Sequence, residues 1–326
     1  MIVVTGATGH IGNVLVRELV SRGEEVRALI LPSEDTVPLE GLCAERVEGD
    51  VLDEGSLARA FKGASAVYHL AGIVAIRPGQ NELMHRVNGV GTRNVAQACL
   101  TCGVKRLVYT SSIHALVEPE QGTVIDETCP VDPDRLTIEY SKSKARATLG
   151  ILEAVERGLD AVVVCPTGVI GPYDYRVSEV GQLILDFGRG RMKASIDGAY
   201  DFVDVRDVAT GHILAFEKGR SGEEYILSGA RMTVDELLAV LEEATGVGAP
   251  SWKAPLWAAQ GIAVLAPLYS AITNGRVLFS RDMIATLTGN SFISSEKARR
   301  ELGYSSRPPK QSLIESVRWF RDAGML

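Results

Sequence analysis

Aromatic side chains are scarce in this chain, at 6% of 326 residues, and cysteines number only five. An odd set of thiols, at positions 43, 99, 102, 129 and 165, does not make a disulfide framework. Cys99 and Cys102 stand in C-x-x-C spacing, but no second pair or histidine cluster joins them. They are expected as packed thiols at a helix end, and no metal site is expected anywhere. Basic charge is also short. Against 41 Asp and Glu there are 34 Lys and Arg, and the net charge of −7 argues against docking to nucleic acid or an anionic membrane. Repeats, low-complexity tracts and Gly/Ser linkers are absent, which excludes a disordered chain. A long unbroken apolar run is missing too. Residues 254–272 come nearest, yet Pro255, Gln260, Gly261 and Pro267 interrupt them. The helical part, 256–266, is too short to span ~30 Å of hydrocarbon, so no integral membrane segment is expected. A covered helix or an apolar lid over a substrate pocket is expected there. Residues 1–5 read directly as a strand, with no basic leader or cleavage site ahead, which points to the cytoplasm.

What the chain does have is alternation. Short Val/Leu-rich runs at 2–5, 26–31, 43–48, 66–70, 106–111 and 161–165 are nearly continuous in hydrophobicity. Strands look like this when a parallel sheet is covered on both faces. Helical patterns at 11–22, 56–61, 82–102 and 137–157 separate them, with Asp53 as an N-cap and Gly23 and Gly103 as C-terminal stops. The alternation predicts an α/β fold, a Rossmann doubly wound parallel sheet. After Cys165 the pattern turns irregular, with Pro166, Gly168, Gly171 and Pro172. Strand-like pieces recur at 201–203 and 225–227, and helices near 205–217, 234–245, 294–302 and 313–323. The division expected is a dinucleotide-binding domain of residues 1–165 plus about 201–228. A smaller, partly interleaved C-terminal substrate domain takes about 166–200 and 229–326.

Gly6, Gly9 and Gly12 lie directly after the first strand and open the first helix. Glycines at these positions permit a tight turn, close approach of backbone to a pyrophosphate, and close helix–strand packing. The helix N-terminus adds unpaired N–H groups and a positive dipole end, so a dinucleotide is expected here. NAD or NADP is the open choice. The end of the second strand holds Ile30 and Leu31, where an acid would favour NAD and an arginine NADP. Glu34 and Asp35 follow, and repulsion of a phosphate by them favours NAD. Asp50 and Val51, after the third strand, are candidates for the adenine edge.

Tyr140 and Lys144 stand four apart inside a helical pattern and therefore share a face. A phenol titrates near ~10, and a neighbouring ammonium is expected to lower that value so that the tyrosine exchanges a proton with an alcohol or carbonyl oxygen. Ser111 and Ser112 close the fifth strand, at the edge where doubly wound sheets bind ligands, and a hydroxyl there holds the reacting oxygen. His114 follows and is a candidate to face substrate. His69 is expected as a satisfied core residue. Asp204, Arg206 and Asp207 are expected to cap a helix and pair ionically between the domains.

This combination resembles the extended short-chain dehydrogenase/reductases over essentially the whole chain. The marks are Thr5–Gly12, Asp50–Val51, Leu70–Gly72, Val87–Thr92, Tyr109–Ser112, Tyr140–Lys144, Pro166–Pro172 and Phe202–Val208. Within that class it is most similar to the dihydroflavonol reductase-like and 3β-hydroxysteroid dehydrogenase-like branches. The resemblance implies Tyr140 as general acid/base, Lys144 also on the nicotinamide ribose, Ser112 on the substrate oxygen and Asn88 as accessory residue. It implies that Gly6, Thr8, Gly9, His10, Ile11, Gly12, Asp50, Val51, Leu70, Ala71, Gly72, Pro166, Thr167 and Val169, with Tyr140 and Lys144, contact the dinucleotide. Ser112, His114 and Tyr140 would meet substrate, and a homodimer is implied.

Two departures bear on substrate and cofactor. Plant dihydroflavonol reductases carry arginine where this chain has Leu31. Nucleotide-sugar epimerases and dehydratases carry an Asn where this chain has Gly168, and a Val-Tyr-Gly where it has Ile113–Leu116. The expected activity is therefore NAD(P)-dependent interconversion of a secondary alcohol and a ketone on a small, largely apolar molecule. The apolar C-terminal part, with Trp252 and Trp257, is expected to supply the hydrophobic wall. The alternatives are a nucleotide-sugar epimerase or dehydratase with tightly bound NAD, and a catalytically silent dinucleotide sensor; sensors tend to lose the Tyr and Lys.

Overall fold

A computed structural model describes residues 1–74, 81–261 and 281–326. Seven parallel strands form the large sheet: β1 (Ile2–Thr5), β2 (Val26–Ile30), β3 (Ala44–Glu48), β4 (Ala66–His69), β5 (Arg106–Thr110), β6 (Ala161–Pro166) and β9 (Glu224–Leu227). Their order is β3-β2-β1-β4-β5-β6-β9, so the winding reverses between β1 and β4. That reversal opens a crevice at the carboxyl ends of the strands, the expected ligand site of a doubly wound sheet. Strands such as β6 show no polar alternation because both faces are covered. Val163 points into the core shared with Leu57, Val95 and Ile151. Val162 and Val164 point to the opposite side, with Leu15, Leu19 and Ile213.

The helices that carry the site are α1 (His10–Ser21), α2 (Glu54–Phe61), α3 (Asn81–His85), α4 (Thr92–Cys102) and α5 (Glu139–Glu156). Asp53 caps α2 through the Gly55 amide, and Gly103 closes α4 at φ 67. The expected single helix at 82–102 contains a π-helical stretch, Arg86–Gly91, between α3 and α4. An inserted residue of this kind bulges the helix and re-aims a side chain, here Asn88.

Three further strands, β7 (Gly168–Ile170), β8 (Ala199–Asp204) and β10 (Ala230–Thr233), make a small sheet in the order β10-β8-β7. Of the two late strand-like pieces, 201–203 thus pairs in the small sheet and 225–227 in the large one. A helix absent from the sequence reading, α6 (Glu179–Gly188), begins at Ser178, whose side chain accepts from the Gly181 amide. The helix α7 (Val205–Lys218) is capped by Asp204. Arg206 bonds Asp204 and reaches Glu315 on the last helix, Pro309–Asp322. Arg307 grips Asp207 through its amide and guanidinium. Capping and ion pairing thus account for the charged cluster.

No helix among the described residues is long and apolar enough to cross a membrane. Residues 256–261 are helical, and the rest of the apolar stretch, 262–272, lies outside the described residues.

Candidate active site

The glycine turn is built so that backbone, not side chains, faces the crevice. Gly6 has φ 66, and a Cβ on it would lie 2.6 Å from the Ala71 amide nitrogen. A Cβ on Gly12 would lie 2.0 Å from the Gly6 carbonyl oxygen. The Gly9 N-cap of α1 offers no side-chain bond, and its first turn holds no acid. Its leading amides and positive dipole end are therefore available to an anion. A cradle that a single Cβ would fill, beside an uncapped helix start, fits the pyrophosphate of a dinucleotide.

Beneath this turn, Thr5 Oγ1 bonds His69 Nδ1 at 2.7 Å and accepts from the Ala71 amide at 3.2 Å. His69 Nε2 meets Thr92 Oγ1 at 3.0 Å. Burial pushes the His69 pKa down to about 3, with the Lys144 charge adding to it, so the ring stays neutral as a satisfied core residue.

Gly6, Gly9, His10, Ile11, Gly12, Leu70, Gly72, Ser112, His114, Tyr140, Lys144, Pro166, Thr167 and Val169 all line one cavity of about 490 Å³. Thr8, Ala71, Asn88, Asp50 and Val51 lie outside that lining. Asp50 accepts from the Leu52 amide, and Val51 packs where a Cβ on Gly91 would be 2.7 Å away. Asn88 is fully engaged. Its Oδ1 accepts from the Ile73 amide at 2.8 Å, and its Nδ2 donates to the Ile73 carbonyl and to Ser143 Oγ. It thereby ties the segment after Gly72 to α5.

Tyr140 is the second residue of α5, and Lys144 follows one turn later. Lys144 Nζ donates to the Thr110 carbonyl at 2.7 Å and lies 5.1 Å from the centre of the Tyr109 ring. Only 7% of Lys144 is exposed, and burial brings its pKa down to about 8. Tyr140 keeps some surface, but that surface faces the cavity and protein surrounds the phenol. Its pKa is pushed up to about 12 by burial, against which a hydrogen bond with Ser112 acts. The expected lowering by Lys144 is therefore corrected: burial raises the phenol, and the ammonium is committed to the Thr110 carbonyl. Of the serine pair, Ser111 bonds Thr148 at 2.6 Å on the inner side, whereas Ser112 meets Tyr140.

His114 Nε2 bonds Tyr200 Oη at 2.9 Å, and their rings stack at 5.9 Å. The His114 ring also meets Tyr140 edge-on at 6.4 Å. Burial pushes its pKa down to about 4, so this imidazole is neutral at pH 7. Tyr200, on β8, escaped the sequence reading because it lies 86 residues from His114.

The hydrophobic wall is a second correction. Trp252 and Trp257 are 56% and 77% exposed and do not line the cavity, because they precede and open a helix on the surface. The described wall is formed by Leu183, Met192, Ile196, Phe202, Leu237 and Leu287, all but Phe202 within the expected substrate part. Among the described lining residues, Lys144 is the only Lys or Arg. The thiols behave as expected at Cys99, which is buried, while Cys102 is half-buried.

A doubly wound sheet with a glycine cradle at its first crossover, and Tyr140, Lys144 and Ser112 gathered on one cavity, defines an extended short-chain dehydrogenase/reductase. Residues 2–228 match the model of the NAD dependent epimerase/dehydratase family, and the chain belongs to that family. It is 40% identical to "Sterol demethylase protein B" of Methylococcus capsulatus, over 99% of both chains. A Synechocystis protein provisionally named dihydroflavonol 4-reductase is 34% identical, over 98% of this chain and 94% of its own. The crystal structure of gox2253 superposes with a TM-score of 0.89 at 34% identity, covering 100% and 99% of the two chains.

Proposed function

We propose that this protein is a nicotinamide-dinucleotide-dependent oxidoreductase that interconverts a ketone and a secondary alcohol on a largely apolar substrate. The observation that carries the reading is the Tyr140–Ser112 pair opening on an apolar cavity with no arginine among its described lining residues. The diphosphate of a nucleotide-linked sugar asks for cationic partners, which favours an apolar molecule. The sterol and flavonoid names of the two relatives point the same way. We assign the dinucleotide-binding domain to residues 1–165 with about 201–228 and the substrate domain to the remainder, the two meeting at the cavity, where residues of both are shared.

When bound, the dinucleotide supplies the hydride to the substrate carbon or accepts it. Tyr140 gives its phenolic proton to the carbonyl oxygen as that carbon is reduced, and takes it back in the oxidative direction. A phenol held up to about 12 is fully protonated at pH 7, which suits it as the acid of a reduction. Ser112 holds the same oxygen through its hydroxyl, and Lys144 places a cation at the base of the site. Thr167 and Val169, which line the cavity, would help to hold the dinucleotide.

Replacing Tyr140 by Phe should lower turnover by about 100-fold or more, as for loss of a general acid, while NADH titration by fluorescence stays nearly unchanged. Retained turnover would sink the mechanism. Nucleotide released on denaturation after dialysis separates the alternative: stoichiometric NAD would indicate an epimerase or dehydratase, which returns the hydride internally.

A further inference from the structure

Strand β2 ends at Ile30 without the acid that a dinucleotide fold commonly uses there. The chain then makes a tight turn. The Glu34 amide donates to the Leu31 carbonyl at 3.1 Å, with Pro32 second and Ser33 third at φ 62. Pro at the second position and positive φ at the third are the marks of a type II turn. The turn folds Glu34 back onto the strand end. Its carboxylate accepts from the Leu31 amide at 2.8 Å and from Thr8 Oγ1 at 2.7 Å, and pairs with Arg176. Thr8 belongs to the glycine turn itself. A carboxylate only 13% exposed thus stands where the end of β2 meets the phosphate cradle. Asp35 takes no part, since it accepts from the Val37 amide.

Arg176 reaches this point from the segment between β7 and α6, 142 residues away in sequence. Its guanidinium also donates to Thr8 Oγ1 at 2.7 Å. The segment is fixed on α1: His10 bonds the Pro172 carbonyl, Asn13 donates to the Tyr173 carbonyl, and Arg17 lies 4.6 Å over the Tyr173 ring.

Resting on the reading that the glycine cradle binds a nicotinamide dinucleotide, we propose that Glu34 is the residue that selects NAD(H) over NADP(H). In the doubly wound fold the adenosine ribose lies at the end of β2 beside the glycine turn. There the Glu34 carboxylate accepts from the ribose hydroxyls and repels a 2′-phosphate. Arg176 is a positioning residue: paired with Glu34, its charge is not free to receive that phosphate.

The test is a fluorescence titration of the purified full chain with NADH and with NADPH, run beside a thermal melt. Wild type should bind NADH more tightly. Glu34→Gln removes the repulsion and frees Arg176, so the Kd for NADPH should fall by about tenfold or more. Adding Arg176→Met to that variant should erase the gain, which a merely structural role would not predict. Arg176→Met alone keeps the carboxylate and should leave the preference for NADH at or above that of wild type. The proposal is overturned if wild type prefers NADPH, if Glu34→Gln leaves the Kd ratio within about twofold of wild type, or if Arg176→Met alone shifts it toward NADPH. Wild type binding neither nucleotide would instead strike the reading of the glycine cradle, and this proposal with it.

Discussion

Lys144 should cost the fold stability. Its ammonium is nearly closed off from water, with one hydrogen bond to the Thr110 carbonyl, and burial lowers its pKa from 10.5 to about 8. That fall corresponds to ~3 kcal/mol by which the folded state disfavours the charged amine at neutral pH. Replacing it by Met removes the buried charge at nearly constant volume, but strands the Thr110 carbonyl at ~1–2 kcal/mol. The net expectation for Lys144→Met is ~1–2 kcal/mol of added stability at pH 7, or about 2–5 °C in Tm, with turnover lost. The pH dependence supplies the sharper check. Between about 8 and the unfolded value near 10.5 the folded state binds fewer protons than the unfolded one, so wild-type stability rises with pH through that window. The advantage of the variant should therefore be full below about 8 and vanish toward pH 10. Thermal melts of both proteins at pH 7 and pH 9.5 measure it. A variant that melts below wild type at pH 7, or by the same margin at both pH values, refutes the reasoning.

Other perturbations test other parts of the molecule. Asp204 is fully buried, caps α7 and takes three bonds from Arg206, which keep its pKa below the ordinary carboxylate value despite burial. Asp204→Asn keeps the cap acceptor but unbalances the Arg206 charge, so a denaturant titration should show a loss of ~2–4 kcal/mol. In wild type this contribution is present above the unfolded aspartate value near ~4 and is lost as pH falls through the lower folded value. Gly12→Ala drives a Cβ to 2.0 Å from the Gly6 carbonyl, and the turn must open. NADH affinity should fall by about tenfold or more, with ~1–3 kcal/mol of stability lost; unchanged affinity would show that the cradle is not the nucleotide site.

The parts of this molecule that were legible in the sequence are those set by contacts close along the chain. Glycine spacing at 6, 9 and 12 declares a turn that no side chain can enter, and the four-residue spacing of Tyr140 and Lys144 places both on one helical face. The unbroken valines 162–164 in β6 declare a strand buried on both sides. Glu34 and His114 were legible as single candidates, but the contacts that hold them were not, for a physical reason. Glu34 reaches the end of β2 only because Ser33 adopts a left-handed backbone, and it is held by an arginine 142 residues away. Tyr200 meets His114 only because β8 pairs with β7 in a second sheet that has no strong period of its own. Two tryptophans also misled. Trp252 and Trp257 lie at the surface, while the cavity wall is assembled from single Leu, Ile, Met and Phe side chains on several separate elements. The residues we propose for proton transfer are thus marked locally, on one strand end and one helix. The groups around them are held by contacts between distant segments, Glu34 with Arg176 and His114 with Tyr200, which no local pattern announces.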